Sequence, residues 1–439
     1  MAPKFTKFAR IFPMLLGLAA GWSAAPAFAQ GGSWTTKTPM PTIHATPASG
    51  VSGGLLFVVG GGTGGGTSVA NEAYDPATDT WTTKASAPTA RSSAGSGVVG
   101  GKLYVVGGCI NSNCGSTSSL LEVYDPATNT WTSGAPMPTP RSHMAAAAIG
   151  GKLYVAGGQQ SCGSCTAIST LEEYDPATDT WTARASLPAP SAFSAGAAVN
   201  GLLYVVGGIT SPRLTNEVGT LQVYDPATDT WSMKSSMPTP RHSLAAATAN
   251  GIFYAFGGQS LLVDSHDTVE SYDPASDTWT TKPPMPTSRF ALAAQEAGGS
   301  LYAVGGIHHP GTVHLSTLEA FRPITVVGID VKPGSFPNSI NLGSAGVVPV
   351  AILSSSIFDA RELDPDSITL AGARVKMVGK SDRFLCHEED VSGDGLLDLV
   401  CQVETAQFMI ETGDSTAVLE GETFGGVQVR GEDSVRIVP

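Results

Sequence analysis

Charged side chains are scarce in this sequence, at 14% of 439 residues, whereas glycine (52) and proline (30) are abundant. This composition is poorly suited to long helices and favours many short strands joined by tight turns, an all-β chain. General disorder is excluded, because 42% of the residues are hydrophobic and can form packed cores. The length exceeds what one ordinary core organises, so we expect a repeat array and a second, smaller folded unit.

Positive charge is scarcer than negative charge, since 24 Lys and Arg stand against 37 Asp and Glu, a net charge of −13. Nucleic acids are bound mainly through clustered basic side chains, so we expect no nucleic-acid partner. The sequence also lacks a nucleophile elbow, a phosphate-binding loop and a convincing pair of catalytic carboxylates. These absences argue against the common hydrolase and nucleotide-binding classes.

Long apolar runs are absent except near the N-terminus. Basic residues precede an apolar run at 11–22, and the small-x-small motif Ala27-Phe28-Ala29 follows it. This arrangement is typical of an export signal, so we predict that residues 1–29 are removed and that the protein is secreted or periplasmic. A retained membrane anchor is the alternative, but the run is shorter than the roughly 20 residues that span a bilayer, and we expect no membrane span. The mature charge would be −16, from 21 Lys and Arg against 37 Asp and Glu.

One sequence unit recurs about every 50 residues. Its clearest part, a Tyr-Asp-Pro segment ending in Trp, occurs five times, first as Tyr74 to Trp81. An apolar strand with a Gly-Gly doublet at its end recurs six times, at Gly60-Gly61, Gly107-Gly108, Gly157-Gly158, Gly207-Gly208, Gly257-Gly258 and Gly305-Gly306. A period of this length indicates a propeller or a solenoid, and six doublets predict six blades.

Each unit divides into four strands, called a to d. In the second unit we predict strand a at Ser92 to Val99, strand b at Leu103 to Val106, strand c at Leu120 to Tyr124 and strand d from Trp131 onward. A separate pair, Gly100-Gly101, forms the a–b turn of this unit, and Asp125-Pro126 begins its c–d turn. Both pairs suit the backbone geometry of these turns. The recurring Trp is expected to fill the wedge between neighbouring blades.

The two ends of the array complement each other. The sixth unit reads Phe321-Arg322-Pro323 where the others carry Tyr-Asp-Pro, and it lacks a later Trp, whereas Trp34-Thr35-Thr36-Lys37 matches strand d of other units. We therefore predict that the N-terminal strand completes the last blade and closes the ring. This divides the chain into a signal at 1–29, a propeller at 30–322 and a β-rich C-terminal module at 323–439.

The Gly-Gly doublets, the Tyr-Asp-Pro to Trp segments and the Pro-Arg pairs before strand a (Pro140-Arg141, Pro240-Arg241) resemble the kelch-repeat family over about residues 31–322. The resemblance implies a β-propeller. It leaves function open, because kelch propellers include protein-binding modules, sugar-binding proteins and a few enzymes.

In a four-stranded meander the d–a and b–c loops lie at the same end, which we call the loop face. The b–c loops differ most between units, at 109–119, 159–170, 209–220, 259–269 and 307–317, and this variation marks the expected recognition surface. Four arginines precede strand a and resemble arginines that line ligand pockets in some kelch propellers: Arg91, Arg141, Arg241 and Arg289, with Ser191 in the fourth unit. The alternative is that they pair with neighbouring blades.

Histidines and acids in two adjacent loops could bind a transition metal: His308, His309, His314, Asp264, His266 and Asp267. Nothing in their spacing requires one, and we favour solvated loop histidines. Galactose oxidase, a kelch-fold enzyme, needs a copper site with a Tyr joined to a Cys. Sialate epimerase, similar in size and propeller class, is the better enzymatic comparison.

Six cysteines in an exported chain are expected to be oxidised. The local pairings are Cys109/Cys114, Cys162/Cys165 and Cys386/Cys401. Cross-pairing between the loops of the second and third units is the alternative for the first four. A redox Cys-x-x-Cys motif at 162–165 lacks a thioredoxin-like context.

The C-terminal module begins with Ile329 to Ser335 and Pro337 to Asn341, which resemble a recurrent module of exported microbial proteins. One loop in it carries oxygen donors at the spacing of an EF-hand and predicts a structural calcium ion, with the ligands Asp390, Ser392, Asp394, Leu396 (through its carbonyl) and Asp398. Position 12 is Cys401 instead of Glu, so Glu388, Glu389 or Glu404 would complete the shell. A solvated Asp-Gly turn is the alternative.

Two functions follow. We expect a secreted noncatalytic binding protein whose loop face recognises an extracellular glycan or protein, with the C-terminal module as an accessory domain. The alternative is a secreted sugar-modifying enzyme, which would need a recessed pocket with convergent acids, bases or metal ligands.

Overall fold

The computed structural model describes residues 31–111, 114–160, 166–210, 216–310, 312–342, 346–355, 358–379, 383–411 and 413–438. The predicted export signal, Gln30 and the pair Cys162/Cys165 lie outside these residues. Within the described ranges, no helix is long and apolar enough to cross a membrane.

The described strands confirm the predicted all-β fold, a six-bladed propeller with a smaller β-rich domain behind it. The first three blades are β2 (Ala48–Ser52), β3 (Leu55–Val59), β4 (Asn71–Asp75) and β5 (Thr80–Thr83); β6 (Gly95–Val99), β7 (Lys102–Val106), β8 (Leu121–Asp125) and β9 (Thr130–Gly134); and β10 (Ala145–Ile149), β11 (Lys152–Ala156), β12 (Leu171–Asp175) and β13 (Thr180–Arg184). The next two are β14 (Ala195–Val199), β15 (Leu202–Val206), β16 (Leu221–Asp225) and β17 (Thr230–Lys234); and β18 (Ala245–Ala249), β19 (Ile252–Phe256), β20 (Val269–Asp273) and β21 (Thr278–Lys282). The sixth contains β22 (Ala293–Ala297), β23 (Ser300–Val304) and β26 (Leu318–Val326), with β1 (Gly32–Lys37) as its outer strand. A short hairpin, β24 (Ile307–His308) and β25 (Val313–His314), extends its b–c loop.

Blade 2 shows why the repeat folds as it does. In the c–d turn, the Asp125 carboxylate accepts the Ala127 N–H at 2.9 Å, and the Tyr124 hydroxyl donates to Asn129 Oδ1 at 2.8 Å. Trp131 packs on Tyr124, and its indole N–H donates to the Ala85 carbonyl of the preceding linker at 2.8 Å. The Trp therefore joins adjacent blades, as expected of a large amphipathic ring in this wedge.

Strand a of blade 2 begins at Gly95, three residues later than predicted. The cause is Ser93, whose φ of 53° interrupts the extended backbone and turns its N–H toward the Thr46 carbonyl of blade 1 at 2.9 Å. Ser92, the predicted first residue of this strand, instead forms an isolated β-bridge with Cys109.

β1 pairs antiparallel with β26, with Trp34 opposite Phe321. The Trp34 ring lies 5.1 Å from the Phe321 ring and 6.1 Å from that of Phe256 in blade 5. Its indole N–H donates to the Pro283 carbonyl at 2.9 Å. Trp34 thus makes the inter-blade contact that the other repeat tryptophans make, and the ring closes with a strand from each end of the array.

The described residues of the C-terminal domain form ten strands: β27 (Ile329–Val331), β28 (Ser339–Asn341), β29 (Val347–Ile352), β30 (Thr369–Leu370), β31 (Ala373–Arg374), β32 (Cys386–Glu389), β33 (Asp398–Glu404), β34 (Thr416–Glu422), β35 (Gln428–Ser434) and β36 (Arg436–Val438). They also form short 3₁₀ helices at Ala360–Glu362 and Thr405–Gln407. The sheet β27-β29-β33-β32 and the strands β35-β34-β30-β31 enclose one apolar core around Val350, Val403 and Leu419.

The two domains share a strand. Residues 318–323 of β26 pair with β1, whereas Ile324–Val326 pair in parallel with β35 of the C-terminal domain. Arg322 adds an ion pair with Glu422 at 2.5 Å and donates to the Gly426 carbonyl at 2.9 Å. The loop at 423–427 lies against the a–b turns of blades 5 and 6. The C-terminal domain therefore covers part of the end opposite the loop face.

Candidate functional site

A closed circle of backbone hydrogen bonds surrounds the channel where it opens on the loop face; we call it the collar. Each blade contributes the residue two positions after its repeat arginine or that arginine's equivalent. The six members are Thr46, Ser93, His143, Phe193, Ser243 and Ala291, with φ between 48° and 57°. Each N–H donates to the carbonyl of the preceding member, and Thr46 donates to Ala291 to complete the circle, with distances of 2.6 to 3.0 Å.

The collar consists of six non-glycine residues in the left-handed region, where a bulky side chain costs about 1–3 kcal/mol. Such conformations persist only where the surroundings hold them, and here the circular hydrogen bonds do so. No turn or glycine signal in the sequence predicts them, since the members share no residue type.

Collar side chains line a shallow depression of about 110 Å³, which we call the mouth depression. Phe193 is one of the residues that line it: its ring lies 3.9 Å from that of His143 and 5.9 Å from that of His242. Hydroxyls of Ser93 and Ser243 flank these rings, and the Ser93 hydroxyl lies 2.9 Å from His143 Nε2. An apolar ring among hydroxyls and imidazoles can stack on one face of a ligand and hydrogen-bond to its edge.

His143 is held neutral at physiological pH. Burial, and secondarily the proximity of His242, lowers the pKa of its imidazole to about 3. Burial also lowers the pKa of His242. The mouth depression is therefore lined by one uncharged imidazole, that of His143, which can donate and accept hydrogen bonds without attracting anions, while His242 is buried behind it.

The predicted ligand-face arginines lie beneath the loop face, not on it. Arg91, Arg141, Arg241 and Arg289 are each at most 2% exposed. Each is ion-paired with a buried glutamate of strand c: Arg91 with Glu122 at 2.5 Å, Arg141 with Glu172 at 2.8 Å, Arg289 with Glu319 at 2.7 Å, and Arg241 with Glu270. Burial lowers the pKa of Arg289 to about 10, with Glu319 opposing the shift, so its charge remains at neutral pH.

These arginines join consecutive blades. The Arg241 carbonyl accepts the Gly208 N–H of blade 4 at 3.0 Å, while its guanidinium donates to the Gly257 carbonyl of blade 5 at 2.7 Å. A threonine two residues earlier, Thr239, donates to Glu270 at 2.8 Å. The ion pairs are thus made within one blade, not with a neighbouring blade as in the alternative weighed from the sequence, and only the backbone carbonyl of the arginine reaches the preceding blade.

Blade 4 replaces this set with neutral residues. Ser191 stands in the arginine position and donates to the Gly207 carbonyl at 3.0 Å; Gln222 stands in the glutamate position and accepts the Ala189 N–H at 2.9 Å. Blade 1 uses His44, whose Nε2 lies 3.3 Å from Glu72. The joint loss of arginine, glutamate and threonine in blade 4 is the sequence signal that could have revealed this pairing, since in the other five blades a glutamate stands two residues before the repeat Tyr or Phe321.

Loop histidines of blades 5 and 6 make local contacts. His308 Nδ1 lies 2.7 Å from the Ser288 carbonyl, His309 stacks on Phe290 at 5.5 Å, and His266 Nε2 lies 3.1 Å from the Ser260 hydroxyl. Among the described residues, these histidines and their neighbouring aspartates do not form a close group of metal ligands.

Disulfides join both described cysteine pairs, Cys109 to Cys114 and Cys386 to Cys401. The first is on the loop face, and the second links β32 to β33 across their hairpin.

The predicted calcium loop connects β32 to β33, so strands flank it. Asp390 accepts the N–H groups of Gly393 and Gly395 at 2.7 and 3.0 Å, and Asp394 accepts that of Leu396 at 2.9 Å. Asp398 is fully buried and accepts backbone N–H groups from Ser354, Val391 and Ser392 at 2.7 to 3.1 Å. Of the additional acids, Glu388 and Glu389 adjoin the loop on β32, whereas Glu404 is at the far end of β33.

Two comparisons with known proteins agree with this architecture. The family model for the KLHDC2/KLHL20/DRC7 Kelch-repeats domain matches residues 48–236 and 99–306, together more than half of the chain. The solved structure of YjhT has a TM-score of 0.56 at 17% sequence identity, covering 64% of this chain and 95% of that chain, a likeness that shows the fold alone. No curated protein of similar sequence is found. By its repeats, its blades and this match, the chain belongs to the kelch-repeat family.

Proposed function

We propose that this chain is an exported, noncatalytic binding protein whose loop face recognises an extracellular glycan or protein. The observation that carries the proposal is the asymmetry of the propeller: the C-terminal domain lies against the opposite end, while the loop face presents variable loops around the mouth depression. Disulfides in the structure support an oxidising compartment.

The chemistry of the mouth depression favours a glycan as the ligand. Phe193 offers an apolar ring for stacking, and the surrounding hydroxyls and the neutral His143 imidazole match the hydroxyl groups of a sugar. The buried glutamates beneath the loop face are occupied by the repeat arginines, which favours binding over acid–base catalysis. Apolar loop tips at Leu261, Leu262 and Val263, of which Leu262 is 95% exposed, would favour a protein partner if no glycan binds.

Phe193→Ala is expected to weaken binding of a glycan found on an array by roughly tenfold, about 1.4 kcal/mol of lost stacking and burial. Alanine is compatible with this backbone, because Ala291 occupies the equivalent collar position with a φ of 55°. Phe424→Ala removes an exposed aromatic ring at the opposite end and serves as the matched control.

Binding that survives Phe193→Ala would place recognition elsewhere and contradict the role of the mouth depression. Conversion of a bound sugar, detected by product analysis in the same assay, would favour the sugar-modifying enzyme instead. If the chain binds no glycan on the array but retains a protein partner, the ligand of the loop face is a protein.

We further propose a structural calcium ion in the 390–398 loop. The support is the donor spacing together with a hairpin that places Asp390 and Asp394 at its exposed tip. Calorimetry on the full chain should detect calcium at millimolar concentrations, the range of extracellular modules at roughly 10⁻⁴ to 10⁻³ M. The double variant Asp390→Ala/Asp394→Ala should lose this heat, whereas Asp364→Ala, at another aspartate turn of the same domain, should keep it. Absence of heat from the wild-type chain at millimolar metal would rule the site out.

A further inference from the structure

A cluster of three potential metal ligands lies beside the mouth depression. The sulfur atoms of Cys109 and Cys114 and a ring nitrogen of His143 are all within 4.8 Å of one another. In the part of the chain that the structure describes, no other three Cys, His, Asp or Glu side chains bring their ligand atoms this close together. Both cysteines are buried, and His143 is partly exposed to the channel mouth.

The repeat architecture positions these donors. Cys109 directly follows the Gly-Gly doublet of blade 2 and bridges to Ser92, which fixes it next to the collar. Cys114 returns to the same place through an N–H bond to the Asn111 carbonyl at 3.1 Å. His143 comes from blade 3, and its backbone is held by the collar. The donors therefore come from two different blades.

Polar neighbours orient the imidazole. The Ser142 hydroxyl lies 3.0 Å from His143 Nδ1 and 3.4 Å from Cys114 Sγ, so it touches two of the three donors. The Gln159 side-chain amide lies 3.3 Å from the same ring nitrogen. On the opposite side of the ring, the Ser93 hydroxyl lies 2.9 Å from Nε2. Metal-binding histidines characteristically have such a partner on the nitrogen that does not bind the metal, and it fixes the ring and its tautomer.

We propose that the Cys109–Cys114 disulfide is the oxidised state of a site for one thiophilic d¹⁰ ion, Cu(I) or Zn(II). Two thiolates and an imidazole are the soft and borderline donors that these ions prefer. Three donors satisfy Cu(I), whereas Zn(II) would take a fourth from water in the channel mouth.

The redox step balances with an external dithiol as reductant. The dithiol supplies two electrons and two protons, the S–S bond breaks, and the dithiol leaves as its own disulfide. Binding the metal then forms two metal–sulfur bonds and one metal–nitrogen bond and releases the two thiol protons. In the reverse direction an external disulfide accepts two electrons and two protons and leaves as two thiols, while the S–S bond between Cys109 and Cys114 reforms and the ion is released.

The site goes beyond the proposed recognition of glycans or proteins, but it touches the same surface. His143 contacts Ser93 and Phe193 in the mouth depression. An ion on His143 would thus alter the lining of the mouth depression, which makes recognition responsive to redox state and metal supply.

The test uses the full chain with Cys162→Ser and Cys165→Ser, which removes the other loop pair. After reduction with a phosphine, Cu(I) and Zn(II) are titrated separately against chromophoric chelators without any glycan. We expect one equivalent of one of these ions to bind reduced protein and none to bind oxidised protein. His143→Gln should weaken binding by roughly tenfold or more, and Cys109→Ser/Cys114→Ser should abolish it.

Cys386→Ser/Cys401→Ser is the matched control and should retain the site. Thermal melts establish whether each variant is folded. If Cys109→Ser/Cys114→Ser does not fold, the comparison of oxidised with reduced chain and the His143→Gln variant still test the metal site. Failure of the reduced chain to bind either ion, or binding indifferent to both His143→Gln and disulfide formation, overturns the proposal. A negative glycan array leaves this readout untouched, so the two proposals fail independently.

Discussion

Arg241→Ser is expected to destabilise the propeller by about 3–5 kcal/mol, the usual cost of breaking a buried ion pair by removing one partner. Arg241 is fully buried and Glu270 is 1% exposed, so the variant would leave a carboxylate inside the protein without its cation. The lost guanidinium would also vacate the carbonyls of Gly257 and Ala255. Thermal and urea unfolding of wild type and variant at neutral pH measure the effect.

The control comes from the chain itself, because blade 4 already builds this position without charge. The triple variant Thr239→Ala/Arg241→Ser/Glu270→Gln copies the blade 4 residues Ala189, Ser191 and Gln222 into blade 5. Since it removes the stranded carboxylate, we expect it to be clearly more stable than Arg241→Ser alone. A triple variant no more stable than the single one would show that packing of the arginine, rather than charge pairing, holds the blades.

A chain that starts at Thr38, without β1, is expected to lose more than about 5 kcal/mol of stability and to self-associate. The estimate exceeds the roughly 3–5 kcal/mol of one large core aromatic, because the truncation removes the Trp34 contacts and all pairing with β26. It also exposes the edge of β26, because β1 is the strand that covers this edge in blade 6. Exposed strand edges of this kind pair with other chains. Melting temperature and light scattering after gel filtration report the two effects.

A chain that starts at Gly31 is the reference for this truncation, and Trp131→Ala measures the loss of one inter-blade Trp in a blade made of continuous chain. A synthetic peptide of residues 31–37 should restore part of the melting temperature in proportion to its concentration, because it binds the folded ring alone. A truncated chain that stays monomeric and melts like the reference would mean that β1 contributes little to closure.

The sequence predicted those parts of the fold that local residues dictate. Gly-Gly doublets and Tyr-Asp-Pro turns are local signals, so the number of blades and the strand order followed from them. The arginines were different, because a residue type does not reveal whether its side chain points out of the loop face or into its own blade. Their partners are about 30 residues away in sequence, and the joint substitution in blade 4 is the signal that could have revealed them.

The mouth depression was harder still to predict. Phe193 occupies a position that holds Ser, Thr, His or Ala in other blades, so no pattern marks it. The approach of His143 to Cys109 depends on the rotation between blades 2 and 3, which no single repeat encodes. Sequence reasoning therefore predicted the loop face as the recognition end, and the structure describes the residues that line the mouth depression there.

The collar also restricts how many blades the ring can contain. A circle of six hydrogen bonds that all lie between 2.6 and 3.0 Å fits one circumference, since each donor must face the carbonyl before it. Duplicating or deleting a repeat would change the angle between every pair of blades, and bonds of this length would no longer meet. Gain or loss of one repeat would therefore disturb all six collar hydrogen bonds at once. This favours a constant number of blades even where the loop sequences diverge.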